Sequence, residues 1–519
     1  MLNINNRRSI FTLIAILLFN IAFFAIIANV FPVRFEENDD VIMASIANGT
    51  YLGEPDCHLV FMNALYGCFL VFLYKLVPSV EWYSYLFAFF QIMSMTVASY
   101  YTIKDVKSKV LKASLLFALY SVWSYIIFYL EFTTVAGVLA FASVILLQKR
   151  HFCLGALFFG VSFLVRYHCA GMVFILSVPI LVYEFGKDWK NYLKIGLILC
   201  LAGVLHIGNN VFYQDKEWKE YKEYNEIRGK ISDNPNREKC KSDLLKIMSC
   251  DDYVLLSESF HDPNISTTEV LKRTFSILDS NNIENKIVNV KEKFVNKYWY
   301  LILINFILLF VLVLKNSKKN FVVTTVCFYV LWVALLGYVS LNGIPKYRVV
   351  VASLLPLWWL CVVGGLYIKC NYSRVFFSVF CVVFGYIGFV REIRGGNEFR
   401  VNVENSINHE QKEILEECKT NVIVPYCSDL KIELFAPFQL KRQIKSKQIV
   451  FLGWMAKYPL KSGYLTYRNF VDGNALLFIS KTRTTENIQN SIKEHYLIDT
   501  DTVHVKETEN YALVKFVKK

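Results

Sequence analysis

Apolar runs of membrane length recur along the chain, and the short loops between them carry mostly positive charge. The run 10–31 contains no charged residue, follows Arg7 and Arg8, and lacks a small-residue cleavage site, so it reads as a retained membrane anchor. Further runs at 82–103, 113–130, 133–147, 152–165, 169–185, 195–212, 298–314, 321–341, 349–368 and 375–390 bring the expectation to about eleven spanning helices. The run 58–77 is different. Counted as a span, it would place the lysines of the 104–112 loop outside, against the tendency of basic loops to stay cytoplasmic. It is therefore expected to lie as an interfacial helix in the first external loop, 32–81. Arg7/Arg8, Lys104 to Lys112, Lys149/Arg150, Lys187/Lys190/Lys194, Lys315/Lys318/Lys319 and Lys369/Arg374 then all face the cytoplasm. The N-terminus is cytoplasmic in this arrangement, and an insert at 213–297 and a domain at 391–519 are extracytoplasmic.

Composition agrees with that pattern. Hydrophobic residues make up 55% of the 519 and aromatics 16%, and the mean hydropathy is +0.37, which marks a multi-spanning α-helical membrane protein. The net charge of +13 follows from the basic loops and calls for no nucleic-acid partner. A phosphate-binding loop, a dinucleotide fingerprint and internal repeats are all lacking, which argues against a nucleotide-driven pump and against a repeat-built transporter. The abundance of Lys, Asn, Ile and Phe suits an AT-rich bacterial genome and hence a bacterial cytoplasmic membrane.

Two polar pieces stand outside the membrane: the insert, 213–297, within the transmembrane domain 1–390, and the C-terminal domain, 391–519. In the insert, Trp218, Tyr221, Tyr224 and Asn225 have helical spacing and predict a surface helix capping the membrane cavity. In 391–519 a helical segment at 405–419 alternates with β-like runs at 422–425, 449–452, 476–479 and 511–517, predicting a small α/β or α+β domain. Cys240/Cys250 and Cys418/Cys427 are candidate disulfide pairs in an oxidising exterior.

Candidate chemistry concentrates in Glu36-Glu37-Asn38-Asp39-Asp40, just beyond the first apolar run. Met43, Ile46 and Ala47 have helical spacing and Gly49 closes the segment, so Asp39 and Asp40 begin a short helix. One acid suffices to cap a helix, and this cluster exceeds that need. Gly49-Thr50-Tyr51 follows.

This order resembles the GT-C class of membrane glycosyltransferases, in particular the bacterial aminoarabinose transferases and protein O-mannosyltransferases. Asp39-Asp40, Ala44 and Gly49-Thr50-Tyr51 match the family's acidic pair, apolar helix and glycine-aromatic step. Glu131 falls at a turn where the family often carries another acid, and Arg166 at a helix end where it often carries a cation. Lys346-Tyr347-Arg348, ahead of Leu354-Leu355-Pro356-Leu357, looks like the basic start of a late span. The second acid is Asp where the family often has Glu, and the loop to Glu54-Pro55 is shorter than in the aminoarabinose enzymes.

The resemblance implies inverting transfer of a sugar from a polyprenyl-phosphate donor to a glycan, lipid or protein acceptor at the outer face. Asp40 or Asp39 would be the general base and Glu131 a second carboxylate. The leaving phosphate would be held by Arg166, Arg348 and Lys346. No cofactor is implied; a divalent metal on Glu54 and His58 is the alternative kept open. An envelope polysaccharide polymerase or ligase, and a non-catalytic transporter or scaffold, are the competing readings.

Overall fold

The computed structural model describes residues 7–31, 33–234, 236–279, 288, 290–314, 318–343, 345–365, 371–386, 409–411, 413–414, 422–426, 429–432, 435–440, 449–459 and 465–519. Eight helices among them are long and apolar enough to cross a membrane. The chain opens with α1 (Arg7–Val30), then β1 (Arg34–Phe35), α2 (Asn38–Asn48), α3 (Ala64–Leu76), α4 (Trp82–Asp105), α5 (Lys109–Phe128), β2 (Tyr129–Leu130), α6 (Phe132–Gln148), α7 (Phe152–Phe185) and α8 (Trp189–Phe212). After the insert come α13 (Asn296–Leu314), α14 (Lys319–Asn342), α15 (Tyr347–Gly365) and α16 (Asn371–Tyr386).

Helix α7 runs for 34 residues, but its backbone leaves helical geometry at Arg166 (φ −157°, ψ 93°). The two legs fold back on one another: the Phe152 and Phe185 rings lie 6.2 Å apart, and those of Phe159 and Phe174 5.2 Å apart. The runs 152–165 and 169–185 are thus antiparallel legs of a hairpin whose tip is Arg166. The eight-helix count takes this hairpin once, and α6 and α16, with 17 and 16 residues, fall below the length that count requires. That is why it is smaller than the expected number of spans.

Helix α3 has 13 residues, about 20 Å of helix and too short to span. Leu65, Phe69, Phe72 and Leu76 form an exposed apolar stripe on it, and Tyr66, Leu70 and Tyr74 face inward. Its start is anchored by Asn63, whose backbone N–H donates to the Leu164 carbonyl at 2.9 Å, beside the hairpin tip. At the opposite end of the bundle the polar loops meet: Lys149 pairs with Asp105 at 2.7 Å, and Gln148 donates to Glu184 at 3.2 Å.

The insert and the C-terminal region differ from expectation in forming one body. The insert contributes α9 (Lys216–Ser232), α10 (Lys241–Leu244), α11 (Cys250–Ser257) and α12 (Thr268–Asp279). The C-terminal region contributes β3 (Val422–Pro425), α17 (Arg468–Val471), β4 (Ala475–Ser480), α18 (Glu486–Tyr496), β5 (Thr500–Glu507) and β6 (Tyr511–Lys518). The sheet has the order β3-β4-β6-β5, with β3 parallel to β4 and the other pairs antiparallel. Tyr224, Tyr253, Phe260 and Leu271 of the insert share one buried core with Val424, Leu477, Phe470 and Phe516. Asp252 accepts hydrogen bonds from Ser491 at 2.7 Å and faces His495 at 2.7 Å.

The run 449–452 is not a strand; it makes an isolated bridge from Ile449 to Ile423. Strand β5, mostly exposed and polar, was not anticipated. Most of 405–419 and the Cys418/Cys427 pair lie outside the described residues. Cys250 is a free thiol, so the Cys240/Cys250 bridge is not formed.

Candidate active site

A short parallel pairing aligns the acidic cluster. Arg34 is opposite Tyr129 and Phe35 opposite Leu130, so the residues that follow each strand, Glu36 onward and Glu131, emerge side by side. Helix α2 then carries Asp39 and Asp40 in its first turn, and Glu37 at its N-cap makes no capping hydrogen bond. The acids have other partners. Glu37 pairs with Arg348 at 3.0 Å, and Arg348 reaches Glu131 at 3.4 Å. Glu131 itself accepts the Thr134 N–H at 2.9 Å and so caps α6. Gly49 ends α2 with φ 84°, and a Cβ there would meet the Pro55 ring at 2.8 Å, which accounts for glycine at this step.

The adjacent aspartates face different surroundings. Asp40 is fully buried, with Oδ1 accepting from the Tyr83 hydroxyl at 2.7 Å and the Phe132 N–H at 3.2 Å. Asp39 instead lines a cavity of about 520 Å³ between the membrane domain and the cap. Arg166, Lys346 and Arg348 line the same cavity; Asp40 and Glu131 do not. Arg166 comes from the hairpin tip and packs against the rings of Phe132 at 4.6 Å and Phe61 at 5.7 Å. Among the described residues it has no carboxylate in ion-pair reach, whereas Arg348 is paired with Glu37, which also lines the cavity, and with the buried Glu131.

Burial raises the pKa of Asp39, with Arg348, Arg228 and Arg166 opposing. Burial also pushes Asp40 well above the usual carboxylate range, reinforced by Glu131 and opposed by the Tyr83 hydroxyl. Glu131 rises through burial against the pull of Arg348. Glu36 is pushed up to about 8, first by burial and then by the charge of Glu131.

The metal alternative takes a different form. Glu54 is exposed; the His58 ring instead meets Asp56 at 2.7 Å and stacks on Trp218 at 4.1 Å. Asp56, Cys57 and His58 have donor atoms within 4.8 Å of one another, outside the residues that line the cavity. The His58 carbonyl accepts from Tyr458 at 2.9 Å, so this corner joins the first loop, the insert and the C-terminal domain.

The cap supplies cavity residues that sequence reasoning missed: Arg228, Ser232, Glu258 and Trp454. Arg228 lies one turn beyond Asn225 in the capping helix expected from the aromatic spacing, so its face was readable. Trp454 reaches the site through tertiary folding alone.

No family model and no curated protein matches the chain. Among solved structures it is similar to ArnT from Cupriavidus metallidurans in the apo state, with 11% identity over 95% of this chain and 97% of that one, at a TM-score of 0.40. At that identity and overlap the likeness assigns no residue a role, and the roles below rest on the geometry of the cavity.

Proposed function

We propose that the protein is a membrane glycosyltransferase that moves a sugar from a polyprenyl-phosphate donor to an acceptor hydroxyl, with inversion, in the cavity beneath the cap. One observation carries this reading: the Asp39 carboxylate and the Arg166 guanidinium, which has no carboxylate partner among the described residues, line one cavity at the membrane-domain surface. Asp39 takes the proton of the acceptor hydroxyl as that oxygen bonds to the anomeric carbon. The bond from the anomeric carbon to the phosphate oxygen breaks, and its electron pair leaves with the lipid phosphate. Arg166, aided by Lys346 and Arg348, neutralises the charge that develops on this leaving group. Arg166 lies on aromatic rings, which orient its planar fork without neutralising it.

Asp40 and Glu131 act as positioning residues in this scheme. Asp40 ties α2 to Tyr83 and to the start of α6, and Glu131 holds Arg348 towards the cavity. Native mass spectrometry of the detergent-purified protein with a panel of polyprenyl-phosphate sugars tests the donor site. Binding of a sugar lipid by wild type and by Asp39→Asn, with loss in Arg166→Gln, is expected. Absence of binding to every member of the panel contradicts the proposal.

A further inference from the structure

The membrane-side wall of the cavity holds the groups assigned above; the cap-side wall holds donors to which the transfer step gives no task. Most carboxylates around the cavity are already matched: Glu37 by Arg348 at 3.0 Å, Glu226 by Lys230 at 2.7 Å and Glu258 by Arg483 at 2.7 Å. Arg228 is not. Its Nε donates to Asn225 Oδ1 at 3.0 Å and its Nη1 to Ser232 Oγ at 3.3 Å, and both partners are neutral and line the cavity. Among the described residues no carboxylate lies in ion-pair reach of it; Asp233, on the same wall, lies beyond that distance. On the same wall stands Trp454, only 6% exposed, whose indole N–H has no hydrogen-bond partner among the described residues. Its ring packs on Phe61 at 4.9 Å, which ties it to the aromatic floor under Arg166.

A guanidinium steered by neutral side chains keeps its charge available to a ligand, and a buried N–H without a partner is costly unless a ligand supplies an oxygen. We infer that Arg228 and Trp454 form an anion subsite that takes a carboxylate or phosphate borne on a sugar ring, separate from the carrier phosphate. This inference rests on the transferase reading and narrows it: one of the two substrates is an acidic sugar whose anionic group does not react. The planar fork of Arg228 accommodates two oxygens of the anion, and the Trp454 N–H is the further donor.

The test uses full-length protein in detergent with D-glucuronate, glucose 6-phosphate, D-glucose and undecaprenyl phosphate as probes. Wild type is expected to bind at least one of the two charged sugars roughly ten-fold or more tightly than glucose. That preference is lost in Arg228→Gln, partly kept in Arg228→Lys and weakened in Trp454→Phe. Undecaprenyl phosphate binding is unchanged in Arg228→Gln and lost in Arg166→Gln. No preference for either charged sugar, or a preference that survives both Arg228→Gln and Trp454→Phe, overturns the subsite. Failure to bind undecaprenyl phosphate while the sugar preference stands counts against the transferase reading instead. Comparing polyprenyl-phosphoglucuronate with polyprenyl-phosphoglucose locates the anion: discrimination that depends on Arg228 places it on the donor, and equal binding places it on the acceptor.

Discussion

Adjacent residues on a helix point about 100° apart, and that rotation separates Asp39, on the cavity, from Asp40, in the core beneath it. Replacing Asp39 by Asn is expected to lower turnover by roughly 10²–10⁴-fold while leaving donor binding intact, as single-turnover kinetics and binding on the same preparation would show. Because burial raises the Asp39 pKa, the rate of wild type should climb with pH as that carboxyl ionises. Asp40→Asn acts differently: Asn can still accept from Tyr83 and Phe132, but its new NH₂ sits where Asp40 Oδ2 has no partner among the described residues. The cost of that unpaired NH₂, about 1–3 kcal/mol, is offset by the loss of a carboxyl whose charge burial disfavours, so the Tm deficit of Asp40→Asn should shrink as pH rises. Glu36 gives a pH test. Its carboxyl titrates at about 8 in the folded protein against 4.5 for the free side chain. Below the lower value both states are protonated and nothing is lost. As pH rises through the window the unfolded chain ionises first, so the folded state loses stability. Glu36→Gln should therefore gain in Tm over wild type as pH rises across that interval; a constant difference would contradict the burial of this acid. The sequence marked the acidic cluster but could not rank its members, because neighbouring acids share every local property and differ only in what packs over them.

At the scale of elements, run length and polarity carried most of what was readable. The two apolar legs flanking Arg166 were separable because a lone cation and a histidine interrupt them, and the hairpin puts that cation at its tip. That α3 does not count as a span was readable from the placement of the basic loops, and its 13 residues are too few to cross. Its packing was not readable, since Gly67 owes its identity to a close approach: a Cβ there would sit 2.1 Å from the Cys57 carbonyl oxygen. Gly67→Ala must push the backbone of the first loop away from α3. A cost of about 1–3 kcal/mol is expected, measurable as a Tm shift, and no shift would mean that the loop is not seated on the helix. The pairing of β1 with β2 covers two residues on each strand, too few for any periodicity to reveal, yet it aligns Glu131 with the acidic cluster. Strand β5 escaped for the opposite reason: most of its side chains are exposed, so alternation of apolar and polar positions is faint.

Across the whole molecule, the cavity exists because the cap is assembled from segments more than a hundred residues apart in sequence. Arg483 clamps them, donating to Asp429 at 2.9 Å and to Glu258 at 2.7 Å. Arg483→Met leaves both carboxylates without that partner and should speed proteolytic cleavage of the cap relative to the membrane domain, detected by limited proteolysis; unchanged cleavage would show that the apolar core alone holds the cap together. Such long-range assembly was invisible in the sequence, where the insert and the C-terminal domain read as separate pieces. The most direct test of sugar transfer follows release of free polyprenyl phosphate by mass spectrometry from proteoliposomes given sugar-charged carrier lipids and an envelope extract as acceptor. Wild type should release carrier from at least one donor, Asp39→Asn should do so at least about 100-fold more slowly, and Arg166→Gln should fail to bind the donor. Release that is equally fast in Asp39→Asn, or no release from any donor of a broad panel, would contradict the proposed function.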